Sequence, residues 1–193
     1  VFYGCDGLTS VTIPDNVKEI GPSPFCACHG LTNITVSAGN ANYQSVEGLL
    51  LSKDGKTLVQ GLDSIVAIPE SVECIGDYAF YGCDFVRITI PDGVTRINEF
   101  AFGICMNLKE VIFDGNAPVF GASVFYYVPD GCRAYVKRLS TGWGTPIPRS
   151  WKGVMLDYDN IRHEVVLDSN GGTCETSSLS VLEGLSIGVL PEP

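Results

Sequence analysis

The chain has 193 residues, of which 45% are hydrophobic, and carries a formal net charge of −10. This hydrophobic content is enough to form a substantial core, which excludes an intrinsically disordered chain. Its 12 lysine and arginine residues are spread along the chain and face 22 acidic residues. Because nucleic acid binding requires clustered positive charge, we expect a folded, acidic protein that does not bind nucleic acid.

The sequence has the pattern of neither a membrane-spanning segment nor an export signal. It contains no run of 18 apolar residues, and its first residues, Val1-Phe2-Tyr3-Gly4, do not form the basic and then apolar pattern of an export signal. The chain also begins without methionine, in the middle of a repeat. We therefore expect a piece of a longer protein, with no membrane insertion in this piece.

Internal self-similarity is the strongest feature of the sequence. The segment 2–21 matches the segment 80–97 nearly residue for residue, and the phenylalanines Phe80, Phe102 and Phe125 follow one another at intervals of 22 and 23 residues. Phe2 and Phe25 are likewise 23 residues apart. This period predicts a solenoid of the leucine-rich-repeat type, in which neighbouring units bury each other's apolar faces.

Each repeat contains a short strand followed by a second apolar leg. In the strand Val11-Thr12-Ile13, alternation directs Val11 and Ile13 inward, and proline after the isoleucine ends the strand. We expect the strands to stack into a parallel sheet. The second leg supplies further core residues, which are Val17, Ile20, Val72, Ile75, Val94 and Ile97. Phenylalanines close each coil on the convex side, and these are Phe25, Phe80 and Phe102.

Four of the eight cysteines recur with the repeat. Cys5, Cys28, Cys83 and Cys105 each lie three residues after a phenylalanine, which favours buried free thiols over disulfides. The other four do not follow the repeat, and the sequence leaves their pairing open; they are Cys26, Cys74, Cys132 and Cys174.

The interval between Phe25 and Phe80 is 55 residues, which is one repeat plus an insertion at about 37–60. Within it, Lys53-Asp54-Gly55-Lys56 separates two apolar runs, and Asp-Gly in this position is a strong hairpin signal. We expect a β-hairpin that projects from the solenoid.

These motifs resemble the BspA-like leucine-rich repeat family of bacterial surface proteins. The stretch 77–83, Asp-Tyr-Ala-Phe-Tyr-Gly-Cys, is the most exact copy of the family pattern, and the segment 42–50 is similar to an insertion common in that family. The chain departs from the pattern at 84–86, where a link is shortened, and at 22–24, which reads Pro-Ser-Pro. The resemblance implies a β-rich solenoid, a right-handed coil with a parallel sheet, one inserted hairpin and a C-terminal cap.

The chain divides into three predicted parts. Residues 1–136 form the repeats with their insertion, and residues 137–160 form a cap in which Trp143 and Trp151 cover the last repeat. Residues 161–193 resemble the start of a Listeria-Bacteroides repeat, a small β module of bacterial surface proteins, through the segment 163–173.

Catalytic and metal-binding patterns are weak in this sequence. The densest group of suitable side chains is Cys26-Ala27-Cys28-His29, which lacks a second ligand pair and a third group to orient a catalytic dyad. The pair Asp157 and Asp159 lacks the regular ligand spacing of a calcium loop. We predict no catalytic residues, no metal site and no cofactor.

The surface of the solenoid is the predicted site of function. Outward positions on the sheet and the hairpin tip are the candidate ligand-binding residues: Ser10, Thr12, Asn33, Thr35, Arg87, Thr89, Lys109, Glu110, Lys53 and Lys56. An equally weighted interpretation is that threonine is simply a good strand former that keeps an exposed strand soluble.

The resemblance implies a non-catalytic protein of the bacterial cell surface. We expect adhesion or protein–protein interaction with a protein or glycan ligand, from a host matrix or from other microbes. One alternative is a structural spacer that displays another domain of a larger surface protein. A second alternative, less favoured by the residues, is an unrecognised hydrolase.

Overall fold

The computed structural model describes residues 2–64, 67–144, 149–159, 162–166 and 178–182. Within these residues the regular structure consists of strands, and none of them lies in a helix. The strands are β1 (Ser10–Ile13), β2 (Asn33–Val36), β3 (Tyr43–Val46), β4 (Leu49–Ser52), β5 (Thr57–Gln60), β6 (Cys74–Ile75), β7 (Arg87–Ile90), β8 (Arg96–Ile97), β9 (Glu110–Phe113), β10 (Val119–Phe120), β11 (Arg133–Val136), β12 (Arg149–Trp151), β13 (Val154–Tyr158), β14 (Arg162–Val166) and β15 (Ser178–Leu182).

The four-residue strands of successive repeats form the first side of the solenoid. Strands β7, β9, β11 and β13 pair in parallel, and Ile88, Val111, Ala134 and Leu156 lie opposite one another along the sheet. These four side chains are at most 5% exposed, since alternation directs them to the core. The prediction of a solenoid with stacked parallel strands is confirmed.

Shorter pairings connect the coils on their other two sides. Strands β6, β8 and β10 are two residues long and pair in parallel, where the second apolar leg of each repeat enters the core. On the third side, backbone hydrogen bonds still pass from coil to coil: the Phe80 N–H donates to the Ala101 carbonyl at 2.8 Å, and the Phe102 N–H donates to the Val124 carbonyl at 2.9 Å.

A row of stacked phenylalanines fills the third side of the core. The ring centroids of Phe80 and Phe102 are 5.3 Å apart, and those of Phe102 and Phe125 are 5.6 Å apart, with nearly parallel planes. Phe2 and Phe25 stack in the same way at 5.7 Å. Since each repeat places phenylalanine at the same point of its coil, the sequence period produces stacked phenylalanines on both sides of the insertion.

The insertion differs from its prediction. It contains three strands, because β3, β4 and β5 pair antiparallel in succession, and β5 then pairs in parallel with β6. Leu50, Leu51 and Leu58 are completely buried. The predicted hairpin at Lys53–Lys56 is confirmed, since β4 and β5 pair around it, but the expectation that it projects is wrong, because both strands belong to a six-stranded sheet of the solenoid. The consecutive leucines of β4 signal a strand that is covered on both faces.

Gly61 marks the point where the insertion returns to the repeats. A Cβ atom placed on this residue would lie 1.9 Å from the ring of Phe80. The ring of the aromatic stack therefore occupies the space that any larger side chain at position 61 would need.

The cysteines that the structure describes all carry free thiols. Cys28, Cys83 and Cys105 are buried, and burial raises the pKa of Cys105 to about 12. Cys5, which shares their repeat position, is exposed, so its predicted burial is wrong. Within the described residues, no further coil packs on the outer side of the coil that contains Cys5. Cys174 lies outside the described residues.

The residues after β11 extend the first side of the solenoid. Strand β13 pairs in parallel with β11, and β12 pairs antiparallel with β13. Trp143 is 4% exposed and its ring lies 4.7 Å from that of Phe113, which fits its predicted covering role. The side chain of Trp151 is outside the described part. Of the predicted terminal module, the structure describes the antiparallel pair β14 and β15, and its resemblance to a Listeria-Bacteroides repeat stays a prediction.

Candidate binding face

The outward side of the large first-side sheet carries a mixed set of polar and apolar side chains. We call it the C-terminal face, and it consists of Arg87, Thr89, Glu110, Ile112, Arg133, Tyr135, Met155 and Asp157. The residues that alternate with them are buried, so the same two-residue period that builds the core also displays these side chains.

Strand register arranges the C-terminal face in two rows across the sheet. In the first row Arg87 lies opposite Glu110, Glu110 opposite Arg133, and Arg133 opposite Met155. The second row runs from Thr89 through Ile112 and Tyr135 to Asp157. Because the pairing is parallel and unshifted, side chains from four strands form a continuous surface.

Charges on the C-terminal face alternate in sign. The Arg87 guanidinium contacts the Glu110 carboxylate at 2.5 Å, and Arg133 contacts Asp157 at 3.4 Å. The arginine side chains are 64% and 50% exposed, so solvent screens both pairs and they contribute little to folding. Such charges remain available to orient a partner.

Apolar side chains lie between these charges. Ile112 and Tyr135 are half-buried neighbours on adjacent strands, and Met155 is 39% exposed. Tyrosine, methionine and arginine are enriched at protein interfaces, where they combine apolar contact area with a polar group. The C-terminal face therefore has the composition of a protein-binding surface.

The predicted residues of the first two strands lie elsewhere. Ser10 pairs with Asn33 and Thr12 with Thr35, and all four are exposed, but they belong to a separate two-stranded sheet. The expectation of one row with Arg87 and Thr89 is wrong. The Ile34 N–H donates to the Gly48 carbonyl at 2.9 Å, so the insertion occupies the edge of β2 where a further repeat strand would pair.

The three predicted lysines differ in their surroundings. Lys109 is exposed next to Glu110 at the edge of the C-terminal face. At the hairpin turn, the Lys53 ammonium donates to the Asn40 carbonyl at 2.6 Å, and the Lys56 ammonium pairs with Glu73 at 2.7 Å. The two hairpin lysines therefore attach the insertion to adjacent segments, which weakens the case for ligand contact.

Five members of the C-terminal face were not predicted: Ile112, Arg133, Tyr135, Met155 and Asp157. Ile88, Val111 and Ala134 follow one another at 23-residue intervals, so extending the repeat alignment past Ile90 finds Ile112, Arg133 and Tyr135. Met155 and Asp157 follow Arg133 and Tyr135 by 22 residues, so the same spacing also indicated them, although no phenylalanine motif marks this last coil.

A second polar group lies where the insertion meets the repeats. We call it the junction cluster, and it consists of His29, Asp63 and Asp84. The His29 Nδ1 atom is 2.8 Å from Asp63 Oδ2 and 3.6 Å from Asp84 Oδ2. The hydrogen bond with Asp63, followed by the charges of Asp63 and Asp84, raises the pKa of His29 above its usual value. In the sequence His29 is close to Cys26 and Cys28, whereas the two aspartates are remote in the chain, so spacing alone did not indicate this cluster.

The fold and these surfaces define the class of the protein as a leucine-rich-repeat solenoid. The family model described as the BspA type leucine rich repeat region matches six copies, at residues 1–47 and 60–131. The unmatched gap coincides with β4 and most of β5 of the insertion. Since the matched segments cover more than half of the chain, the chain belongs to the BspA-type leucine-rich repeat family.

Two solved structures are similar in fold. The pneumococcal vaccine antigen PcpA superimposes with a TM-score of 0.57 at 20% identity, over 79% of this chain and 43% of that one. A leucine-rich repeat protein from Eubacterium ventriosum superimposes with a TM-score of 0.52 at 22% identity, over 67% of this chain and 42% of that one. The present chain thus spans less than half the length of either protein.

No curated protein matches the chain. Membership of the BspA-type repeat family supports protein interaction in general, and neither this family nor the similar folds indicate a catalytic family. A search of the described residues for a helix with the length and apolarity needed to cross a membrane finds none.

Proposed function

We propose that this chain belongs to a non-catalytic protein of the bacterial cell surface that adheres to a protein ligand through its C-terminal face. The observation that carries the proposal is the mixture on this face: Ile112, Tyr135 and Met155 are solvent-accessible in the midst of two arginine–carboxylate pairs. Exposed apolar side chains bordered by polar ones are characteristic of protein-interaction sites.

A protein ligand fits this surface better than a glycan does. Alternating arginine and carboxylate groups complement the mixed charges of a protein surface and can set its register. The exposed arginines are also suited to bidentate contacts with carboxylates, which are plentiful on proteins. Extracellular matrix proteins and surface proteins of other microbes are the partners we propose, and glycans are the alternative ligand class.

The proposed location at the cell surface has two supports. Membership of the BspA-type repeat family favours it, and one of the proteins of similar fold is a pneumococcal vaccine antigen. The net charge of −10 favours solubility and disfavours nonspecific capture of nucleic acid.

A binding screen against matrix proteins, mucins and a glycan array tests the proposal. The informative variant is Ile112→Glu/Tyr135→Glu, which places two charges in the centre of the C-terminal face without altering a fully buried residue. The matched control is Thr12→Glu/Thr35→Glu, which makes the same charge change at paired, exposed positions of the β1–β2 sheet. Thermal unfolding of each variant establishes that it is folded.

The expected result is a protein ligand whose affinity falls at least about tenfold in the Ile112→Glu/Tyr135→Glu variant, as substitution of interface anchors normally causes. Binding that falls instead in the control variant would assign recognition to the first two strands. If no protein or glycan in the screen binds the chain, the spacer function would be favoured over adhesion.

A further inference from the structure

The junction cluster brings together three ligand groups that sequence spacing separates. His29 lies between β1 and β2, Asp63 lies between β5 and β6, and Asp84 lies between β6 and β7. One ligand atom from each residue lies within 4.8 Å of the others. The nearest pairs are separated by 2.8 and 3.6 Å, and neighbouring ligands of a tetrahedral zinc ion lie about 3.4 Å apart for metal–ligand bonds of about 2.0–2.2 Å.

Each aspartate has one oxygen held by a protein donor and the other directed at His29. Asp63 Oδ1 accepts the Asp84 N–H at 2.7 Å, and Asp84 Oδ1 accepts from Asn107 Nδ2 at 3.3 Å. The Oδ2 atoms of both residues approach His29. Hydrogen bonds of this kind orient the ligands of metal sites and fix which oxygen faces the ion.

A buried amide beside the cluster supplies an independent observation. Gln60 is 3% exposed and lines a small cavity, about 10 Å³ in volume, together with His29 and Asp63. Its Nε2 group donates to the carbonyls of Gly61 and Ala79, and within the described chain its Oε1 atom has no hydrogen-bond partner. A cavity of this volume holds roughly one water molecule, and Gln60, which lines it, supplies a buried acceptor without a protein partner among the described residues.

We propose that the junction cluster is a binding site for a divalent transition-metal ion such as zinc, with His29, Asp63 and Asp84 as its ligands. An imidazole with two carboxylates suits zinc and its neighbours in the first transition series, whereas calcium prefers a shell of oxygens alone. The site differs from the cysteine–histidine group considered from sequence, since the Cys28 thiol donates to the Phe2 carbonyl at 2.7 Å. A metal ion at this position would cross-link a repeat, the insertion and the next repeat.

Isothermal titration of the metal-free chain with zinc chloride tests the proposal, with thermal unfolding measured in parallel. We expect one zinc ion per chain, a rise in the melting temperature, and affinity weakened by more than about tenfold in His29→Gln and Asp84→Asn. Asp130→Asn is the control, because it removes an exposed carboxylate outside the cluster. Melting temperatures without metal separate loss of a ligand from loss of folding.

The free thiols of the chain require a spectroscopic control, since cysteine also binds zinc. Cobalt(II) is the probe, because thiolate ligands produce an intense charge-transfer band in the near ultraviolet and a histidine–carboxylate site does not. Stoichiometric cobalt binding without that band, lost in His29→Gln, supports the site. A thiolate band, binding unchanged in both cluster variants, or absence of binding would overturn it.

Discussion

The two ends of the repeat array are stabilised in different ways. In the N-terminal region, around β1 and β2, the apolar residues Val11, Val17 and Ile20 are half-buried. In the C-terminal region, around β7, β9 and β11, the corresponding side chains are almost completely buried. A coil that packs between two other coils is thus stabilised mainly by apolar burial.

A buried polar side chain, Asn40, lies where this apolar burial is weaker. The buried amide of Asn40 donates to the carbonyls of Pro14 and Val17, and its oxygen accepts the N–H groups of Asn42 and Tyr43. The Tyr43 hydroxyl accepts the Ile20 N–H at 2.9 Å. Hydrogen bonds through the insertion therefore attach the second leg of the first coil to the remaining structure.

The largest effect is expected in the aromatic stack. Phe102 is completely buried between Phe80 and Phe125, so Phe102→Ala should lower the free energy of unfolding by about 3–5 kcal/mol. Phe2→Ala is the control, since Phe2 occupies the same repeat position but is 50% exposed. Urea unfolding measures both, and equal losses would contradict the difference between the two regions.

Asn40→Ala tests the polar attachment of the first coil. The substitution removes four hydrogen bonds to backbone groups, and we expect a loss of about 1–3 kcal/mol in the free energy of unfolding. Asn42→Ala removes an exposed amide two residues away and should change stability little. Hydrogen exchange of the β1 amides should accelerate in Asn40→Ala alone; unchanged exchange would mean that burial suffices in this region too.

Gly61→Ala tests the boundary between the insertion and the stack. The added methyl group would meet the Phe80 ring, so we expect a loss of about 1–3 kcal/mol from overpacking. At Gly7 an added Cβ atom has no neighbour within 4 Å, which makes Gly7→Ala the matched control. Similar denaturation midpoints for the two variants would show that the ring moves aside without cost.

The smallest effect is expected on the C-terminal face. A double-mutant cycle with Arg87→Ala and Glu110→Ala should give a coupling energy of about 0.2–1 kcal/mol, since the arginine is mostly exposed. The coupling should decrease as salt is added, because ions screen exposed charges. A coupling well above this range at high salt would assign the pair to folding and remove it from the set of residues free to bind a partner.

Periodicity explains which structural features the sequence could predict. The parallel strands and the core positions from Phe80 to Phe125 follow from one repeated pattern, so alignment of repeats was sufficient. The insertion has no second copy in the chain, and its burial depends on pairing with β6, which local hairpin chemistry does not encode. Leu49, Leu50 and Leu51 carried the available signal, since three consecutive apolar residues do not fit an exposed ribbon.

The same distinction between repeated and unrepeated parts of the sequence applies to the candidate sites. Arg87, Thr89 and Glu110 could be placed on an outward surface by alternation alone, whereas their separation from Ser10 and Thr12 depends on where the insertion enters the stack. The contact of His29 with Asp63 and Asp84 joins segments on both sides of the insertion. Contacts of this kind depend on three-dimensional packing, and no period in the sequence predicts them.

Coil-to-coil hydrogen bonding on all three sides also determines how the molecule carries a mechanical load. Bonds from β7 to β9, from β6 to β8, and from Phe80 to Ala101 link successive coils in parallel, so a tensile force on the chain is shared among them. Under such a force the array should unravel coil by coil from an end, as expected for a quasi-one-dimensional structure. Each released coil would lengthen the chain by about 70–80 Å, dissipating the energy of a sudden pull in successive steps.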